Sequence, residues 1–188
     1  MTLTTSPTHA HNAVSRSTDT GPVAFAFGTT SLGEVLVAAT GKGICAIFMG
    51  SRRDRLAADL GRYFPEARPA REGRLADVVG SVVALIESPA KPVDLSLDLQ
   101  GSDFEIAVWR ALRAIPPGKT LSYSGLARSM GVTGGQKGPA KAVADACAAN
   151  RIAVAVPCHR ILRKDGAISG YRWGARRKRA LLEREGVR

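Results

Sequence analysis

The sequence lacks any apolar run near the length needed to cross a bilayer. Its opening stretch, MTLTTSPTHAHNAVSRSTDTGP, has neither the basic start nor the apolar centre of a secretory signal. Neither membrane insertion nor export is therefore expected, and the reading is a cytoplasmic protein. The same stretch, residues 1–22, is polar and rich in Thr, Ser and His, and it reads as a disordered tail. Cysteine is scarce: Cys45, Cys147 and Cys158 are the three present, and no two are spaced C-x-x-C. This argues for free thiols in a reducing compartment and against a structural zinc site. His9 and His11 have no cysteine nearby, so a solvated tail is the plainer reading there. The segment GVTGGQKG is rich in glycine but lacks the G-x-x-x-x-G-K-[ST] spacing of a phosphate loop.

Acidic residues are also short, but only in one half. Residues 1–100 carry 10 Lys/Arg and 10 Asp/Glu, whereas residues 101–188 carry 17 and 6, so the formal charge of +11 falls entirely in the second half. A basic half beside a neutral half fits a nucleic-acid face, because phosphate contacts release counterions. A basic surface with no polyanionic partner is the bland alternative.

What is present is enough for a core. At 188 residues, 45% hydrophobic and a mean hydropathy of −0.03, the chain can form one compact body or two small subdomains. VAFAFGTT, EVLVAATG and GICAIFMG are short apolar or alternating runs ended by Gly or Thr, which predicts a β-meander with Cys45 in its core. RRDRLAADLGRYF puts Leu56, Leu60 and Phe64 at helical spacing before Pro65. GRLADVVGSVVALIES repeats that period through Leu75, Val79, Val82 and Ile86. VDLSLDL alternates and predicts another strand. After Gly101 the pattern is mainly helical. Ser102 or Asp103 can cap a helix that buries Phe104, Val108, Trp109 and Leu112. SYSGLARSMG and PAKAVADACAANR give two short helices across a long link, a helix-turn-helix arrangement. IAVAV predicts a buried strand ended by Pro157, and ARRKRALLERE a closing helix with Leu181 and Leu182 inward and Arg176 to Arg179 on a solvated face.

The chemistry concentrates at Val156-Pro157-Cys158-His159-Arg160. Free cysteine titrates near pH 8.5 and needs cations or a hydrogen-bonding imidazole to become a nucleophile. Neighbours in a strand point to opposite faces, so a Cys-His pair can cooperate only where the strand breaks, as Pro157 suggests. The imidazole then needs a carboxylate, and Glu183 and Glu185 are the only ones after Asp165. On residue types alone, a working Cys-His site and a buried structural thiol both remain open.

PCHRILRKDGAISGYRWGARRKRALLEREG closely resembles the active-site region of methylated-DNA–protein-cysteine methyltransferases, especially the C-terminal domain of Ada-type proteins. The resemblance continues through AVADACAAN, LSYSGLA and FEIAVWRALRAIPPGKT and reaches weakly back to about residue 24. It implies an α+β fold: a small N-terminal antiparallel sheet with helices, ribonuclease H-like, over 23–100, then a mainly helical, winged-helix-like DNA-binding domain with the cysteine over 101–188. It implies a monomer that needs no cofactor and no metal, and that acts on double-stranded DNA containing O6-alkylguanine. Cys158 would take the alkyl group in a single irreversible turnover, His159 would receive the thiol proton through a water, and Glu185 would orient His159. Asn150 would support the site, Tyr123 would donate to a guanine ring nitrogen, and the backbone of Cys158 and Ile161 would read the guanine edge. Tyr171 would line the pocket and Arg172 would face the leaving oxygen. Ala142, Ala146 and Arg160 join the DNA-contacting set. The family commonly has an arginine on the recognition helix where this chain has Lys141, with Lys137 a neighbour able to assist. Lysine keeps the charge but not the planar group that stacks on bases.

Overall fold

The computed structural model describes residues 22–133 and 138–187, so Lys137 and the expected tail, apart from Pro22, lie outside the described residues. Strands β1 (Ala24–Thr30), β2 (Gly33–Thr40) and β3 (Gly43–Gly50) form the predicted antiparallel meander. A two-residue strand, β4 (Arg68–Pro69), joins parallel to β1, giving the order β3-β2-β1-β4. Gly33 opens β2 at φ +111, and a Cβ there would lie 2.4 Å from the Gly50 carbonyl oxygen, so the turn demands glycine.

Alternation sorts the sheet's side chains onto two faces. Leu36 and Ala38 of β2 and Cys45, Ala46 and Phe48 of β3 pack against Leu56 and Leu60 of helix α1 (Arg53–Gly61). The register slips between Ala38 and Ala39, from Ala38 facing Ala46 to Ala39 facing Ile44, which makes Cys45 the extra residue of a bulge. Val35, Val37, Ile44 and Ile47 face the other way, onto Val79, Val82 and Ile86 of helix α2 (Ala76–Glu87). That second cluster continues without a break into Val108, Trp109 and Leu112 of the C-terminal half. At about 1.5–3 kcal/mol for each large apolar side chain buried, it is the main adhesive between the halves.

Two expected strands are absent. In VDLSLDL the contact is one bridge, Leu97 to Ile44, closed by Ile44 N–H to the Ser96 carbonyl and Asp98 N–H to the Ile44 carbonyl. In IAVAV it is again one bridge, Ile152 to Ile47. Both segments dock on the same outer edge of β3, so neither has room to run along it. The second also turns away at once, since Val154 sits at φ 64.

Helix α3 (Asp103–Arg113) starts with a reciprocal cap: the Ser102 hydroxyl accepts from Glu105 N–H, and the Glu105 carboxylate accepts from Ser102 N–H at 2.7 Å. Phe104, expected inside, is 38% exposed, because the first turn of α3 overhangs the core that Val108 and Leu112 enter. Trp109 Nε1–H donates to the Ala146 carbonyl at 2.8 Å and ties α3 to helix α5 (Pro139–Ala149). Helix α4 (Tyr123–Ser129) packs on α5, and helix α6 (Ala175–Arg184) closes the chain. Two-residue strands β5 (Leu121–Ser122) and β6 (Ile161–Leu162) pair in parallel. Among the described residues no helix is long and apolar enough to cross a membrane.

Candidate active site

Asn150 caps α5 and governs the loop that follows. Its Oδ1 accepts from Ile152 N–H at 2.8 Å, and its Nδ2–H donates to the Val156 carbonyl at 2.9 Å and to Cys158 Sγ at 3.3 Å. One fully buried side chain thus fixes both ends of the loop and reaches the sulfur. The bend itself is costly, because Val154 is β-branched and held in the left-handed region. Beyond Pro157 the chain enters a single 3-10 turn, Cys158–Arg160, and then β6. The parallel β5–β6 pairing brings the start of α4, with Tyr123 as its first residue, alongside the strand that follows this turn.

Behind the sulfur lies a buried polar cluster. His159 Nε2 is 2.9 Å from Glu185 Oε1, and neither side chain is exposed. Arg160 grips the same carboxylate from Nε and an Nη, at 3.1 and 2.9 Å, and donates to the Ile115 carbonyl. Burial alone would push the Glu185 carboxyl up, but the hydrogen bonds from His159 and Arg160 outweigh it and hold it below the ordinary range. Burial pushes the His159 imidazole down, with Glu185 opposing, so the ring is neutral at pH 7. A neutral ring that donates Nε2–H to Glu185 presents a bare lone pair at Nδ1, and that atom is buried with no hydrogen-bond partner in the described structure. His159 is wholly buried and Cys158 nearly so, at 6% exposure.

The resting thiol is protonated. Burial raises the Cys158 pKa more than the Asn150 amide and the Lys178 charge lower it. Cys45, pushed up to about 12 by burial, and Cys147, pushed higher still, are equally quiet. Cys158 differs from them in having an amide donor on its sulfur and an imidazole next in the chain.

Tyr171 stacks edge-on to His159 and to Trp173, at centroid separations of 6.5 and 5.1 Å, and its buried hydroxyl has no partner in the described structure. The Tyr123 hydroxyl lies 2.8 Å from Ser169 Oγ. Ile161 is fully buried at the start of β6. Cavities of about 360 and 410 Å³ lie elsewhere, the first behind the turn against Pro157 and Arg160, and neither is lined by Cys158.

Several expected positions need correction. Arg160 is not a DNA-facing cation, since its guanidinium is consumed by Glu185 and Ile115 inside the protein. Ala146 is 2% exposed, on the face of α5 against Trp109, whereas Ala142 is half-buried and Lys141 is exposed and paired with Asp145. The Arg172 guanidinium turns to the N-terminal half, donating to the Tyr63 hydroxyl at 2.7 Å and to the Ala148 carbonyl, and stacking over Tyr63 and Phe48. The run Arg176 to Arg179 is not a uniform solvated face, because Lys178 is fully buried. Lys178 was legible in principle: it shares the 178, 181, 182, 185 stripe with Leu181, Leu182 and Glu185, one face of a helix.

A family model described as 6-O-methylguanine DNA methyltransferase, DNA binding domain, matches residues 103–187. The chain is 48% identical to the regulatory protein Ada of Salmonella typhimurium, over 81% of this chain and 42% of that protein, so it spans less than half of that relative's length. It is 37% identical to a methylated-DNA–protein-cysteine methyltransferase of Mycolicibacterium paratuberculosis, covering 71% of this chain and 82% of the other. Among solved structures, Mycobacterium tuberculosis OGT in complex with DNA superposes with a TM-score of 0.72 at 33% identity, covering 86% and 92% of the two chains.

Proposed function

The chain belongs to the methylated-DNA–protein-cysteine methyltransferase family, and from that premise we propose that it repairs DNA by moving the alkyl group of O6-alkylguanine onto its own Cys158. The observation that carries this reading is the unpaired, buried Nδ1 of His159 behind the sulfur, with Nε2 fixed by Glu185. A neutral base beside a protonated thiol is poised but silent, and it acts only when an electrophile arrives.

The guanine oxygen is out of reach inside a duplex, so the base is extruded from the stack to meet Cys158, at a cost of roughly a few kcal/mol. His159, through a water, takes the thiol proton, and Glu185 balances the imidazolium that forms. The Asn150 amide and the Lys178 charge favour the emerging thiolate. A sulfur–carbon bond forms as the carbon–oxygen bond breaks, the electron pair stays on the purine, and the proton that His159 took from Cys158 passes to the purine, leaving guanine and the imidazole both neutral. The thioether has no proton to lose and is a poor leaving group, so the protein acts once. Tyr123 donates to the guanine ring, the Cys158 and Ile161 backbone reads its edge, and Tyr171 lines the pocket. Lys141 and Ala142 lie on the DNA side of α5, with Lys137 able to assist.

On the same reading the protein works as a monomer on double-stranded DNA. Residues 23–100 form a ribonuclease H-like domain and 101–188 a winged-helix-like one. Incubation with duplex containing O6-methylguanine, followed by peptide mass analysis, tests the proposal. The expected result is one methyl group on Cys158, none on Cys45 or Cys147, and an inert Cys158→Ala protein. DNA binding with Cys158 unmodified would overturn it.

A further inference from the structure

Lys178 is a fully buried cation with no carboxylate partner among the described residues. Its Nζ donates to the Ile161 carbonyl and, at 3.0 Å, to Ser169 Oγ. Ser169 Oγ in turn lies 2.8 Å from the Tyr123 hydroxyl. An ammonium group has only hydrogens to offer, whereas a hydroxyl offers one hydrogen and accepts through two lone pairs. Ser169 therefore accepts from Lys178, and its own hydrogen remains for Tyr123, its other partner among the described residues. Tyr123 then accepts from Ser169, and its phenolic hydrogen points elsewhere. The opposite polarity, with Tyr123 donating to Ser169, would spend the phenolic hydrogen inside the protein and leave only lone pairs for a ligand.

We propose that Ser169 is a positioning residue that passes the polarity set by Lys178 on to Tyr123, so that the phenol presents a hydrogen and not a lone pair to the extruded base. The inference rests on the function proposed above and deepens it. The ring acceptor on the minor-groove edge of guanine is N3. As the carbon–oxygen bond breaks, electron density collects on the purine, and a hydrogen bond at N3 stabilises it where a lone pair would repel it. Burial pushes the Tyr123 phenol above its ordinary value, so it keeps the proton this role requires. Ser169 stands eleven residues after Cys158, on the loop leading to Tyr171, and neither residue type nor periodicity marks it in the sequence.

The test measures the single-turnover rate of Cys158 methylation at saturating duplex, with O6-methylguanine or its 3-deaza analogue, in which N3 is replaced by C–H. Ser169→Ala should slow transfer from O6-methylguanine about 5- to 10-fold, the loss of roughly one hydrogen bond. It should leave duplex affinity unchanged and match the parent on the 3-deaza duplex, which also establishes that the variant is folded. Ser169→Thr, which keeps the hydroxyl, should retain the parent rate. Equal slowing on both duplexes would assign Ser169 to packing and overturn the relay. So would no slowing on either, or a parent that transfers from both duplexes at one rate. If the parent methylates Cys158 from neither duplex, the function proposed above falls, and the relay with it.

Discussion

The two halves of the molecule bury different things. Among the described residues, the buried polar or charged side chains are Thr30 in the N-terminal half and Asn150, His159, Arg160, Lys178 and Glu185 in the C-terminal half. The N-terminal sheet is held by apolar packing on both faces, and its net charge is zero. The C-terminal half carries all the excess charge and takes part of it into its interior, where desolvating an ion is justified only by close partners. A scaffold and a reactive centre are thus built on different physical terms, joined by one shared apolar cluster.

The sharpest way to break this contrast is Glu185→Gln. It leaves Arg160 buried without its carboxylate and His159 without its orienting partner. The expected loss is about 3–5 kcal/mol of stability together with a transfer rate lower by roughly 100-fold or more, measured by denaturant unfolding and by single-turnover methylation. Leu60→Ala, in the cluster under α1, should cost about 2–5 kcal/mol and leave the transfer rate of the folded protein unchanged. A rate that fell in step with stability would show that the scaffold is not separate from the chemistry.

Acid should act through the C-terminal half. The His159 pKa is lowered on folding, so below its ordinary value of 6.5 the unfolded chain binds a proton that the folded one refuses. Stability is therefore full above about pH 6.5 and declines as pH falls toward the lower folded value. Glu185, also held below its ordinary 4.5, adds a second decline at lower pH. In melting curves from roughly pH 7.5 to 5, Leu60→Ala should keep the first slope and His159→Ala should flatten it. The smallest effect is expected of Lys141→Arg, a rise of a few-fold in rate on duplex DNA, since a planar guanidinium stacks on bases and an ammonium does not.

Most of the scaffold was legible because its periods are local. The three strands of the meander, α1, α2 and the Ser102 cap follow from alternation, helical spacing and capping chemistry within a few residues. The strand readings of VDLSLDL and IAVAV failed because alternation reports which way a side chain points, not whether a neighbouring edge is free. The motif drew attention to Cys158, His159, Glu185 and Asn150, and the structure brings these four together. The fates of Arg160 and Arg172 were not legible, because the partners that claim their guanidinium groups lie 25 and 109 residues away. A formal charge says nothing about who neutralises it. Lys178 is the instructive case: its helical stripe was readable, yet its lysine identity argued for the opposite face.

The outer edge of β3 has one further consequence. Its peptide groups are claimed by two short visitors, one from the connector at Leu97 and one from the reactive half at Ile152. Pulling the halves apart would strip hydrogen bonds from the sheet itself as well as water-proofing from the shared core, so neither half has a comfortable state alone. Heating should accordingly give one calorimetric transition whose van't Hoff and measured enthalpies agree, the signature of a single cooperative unit.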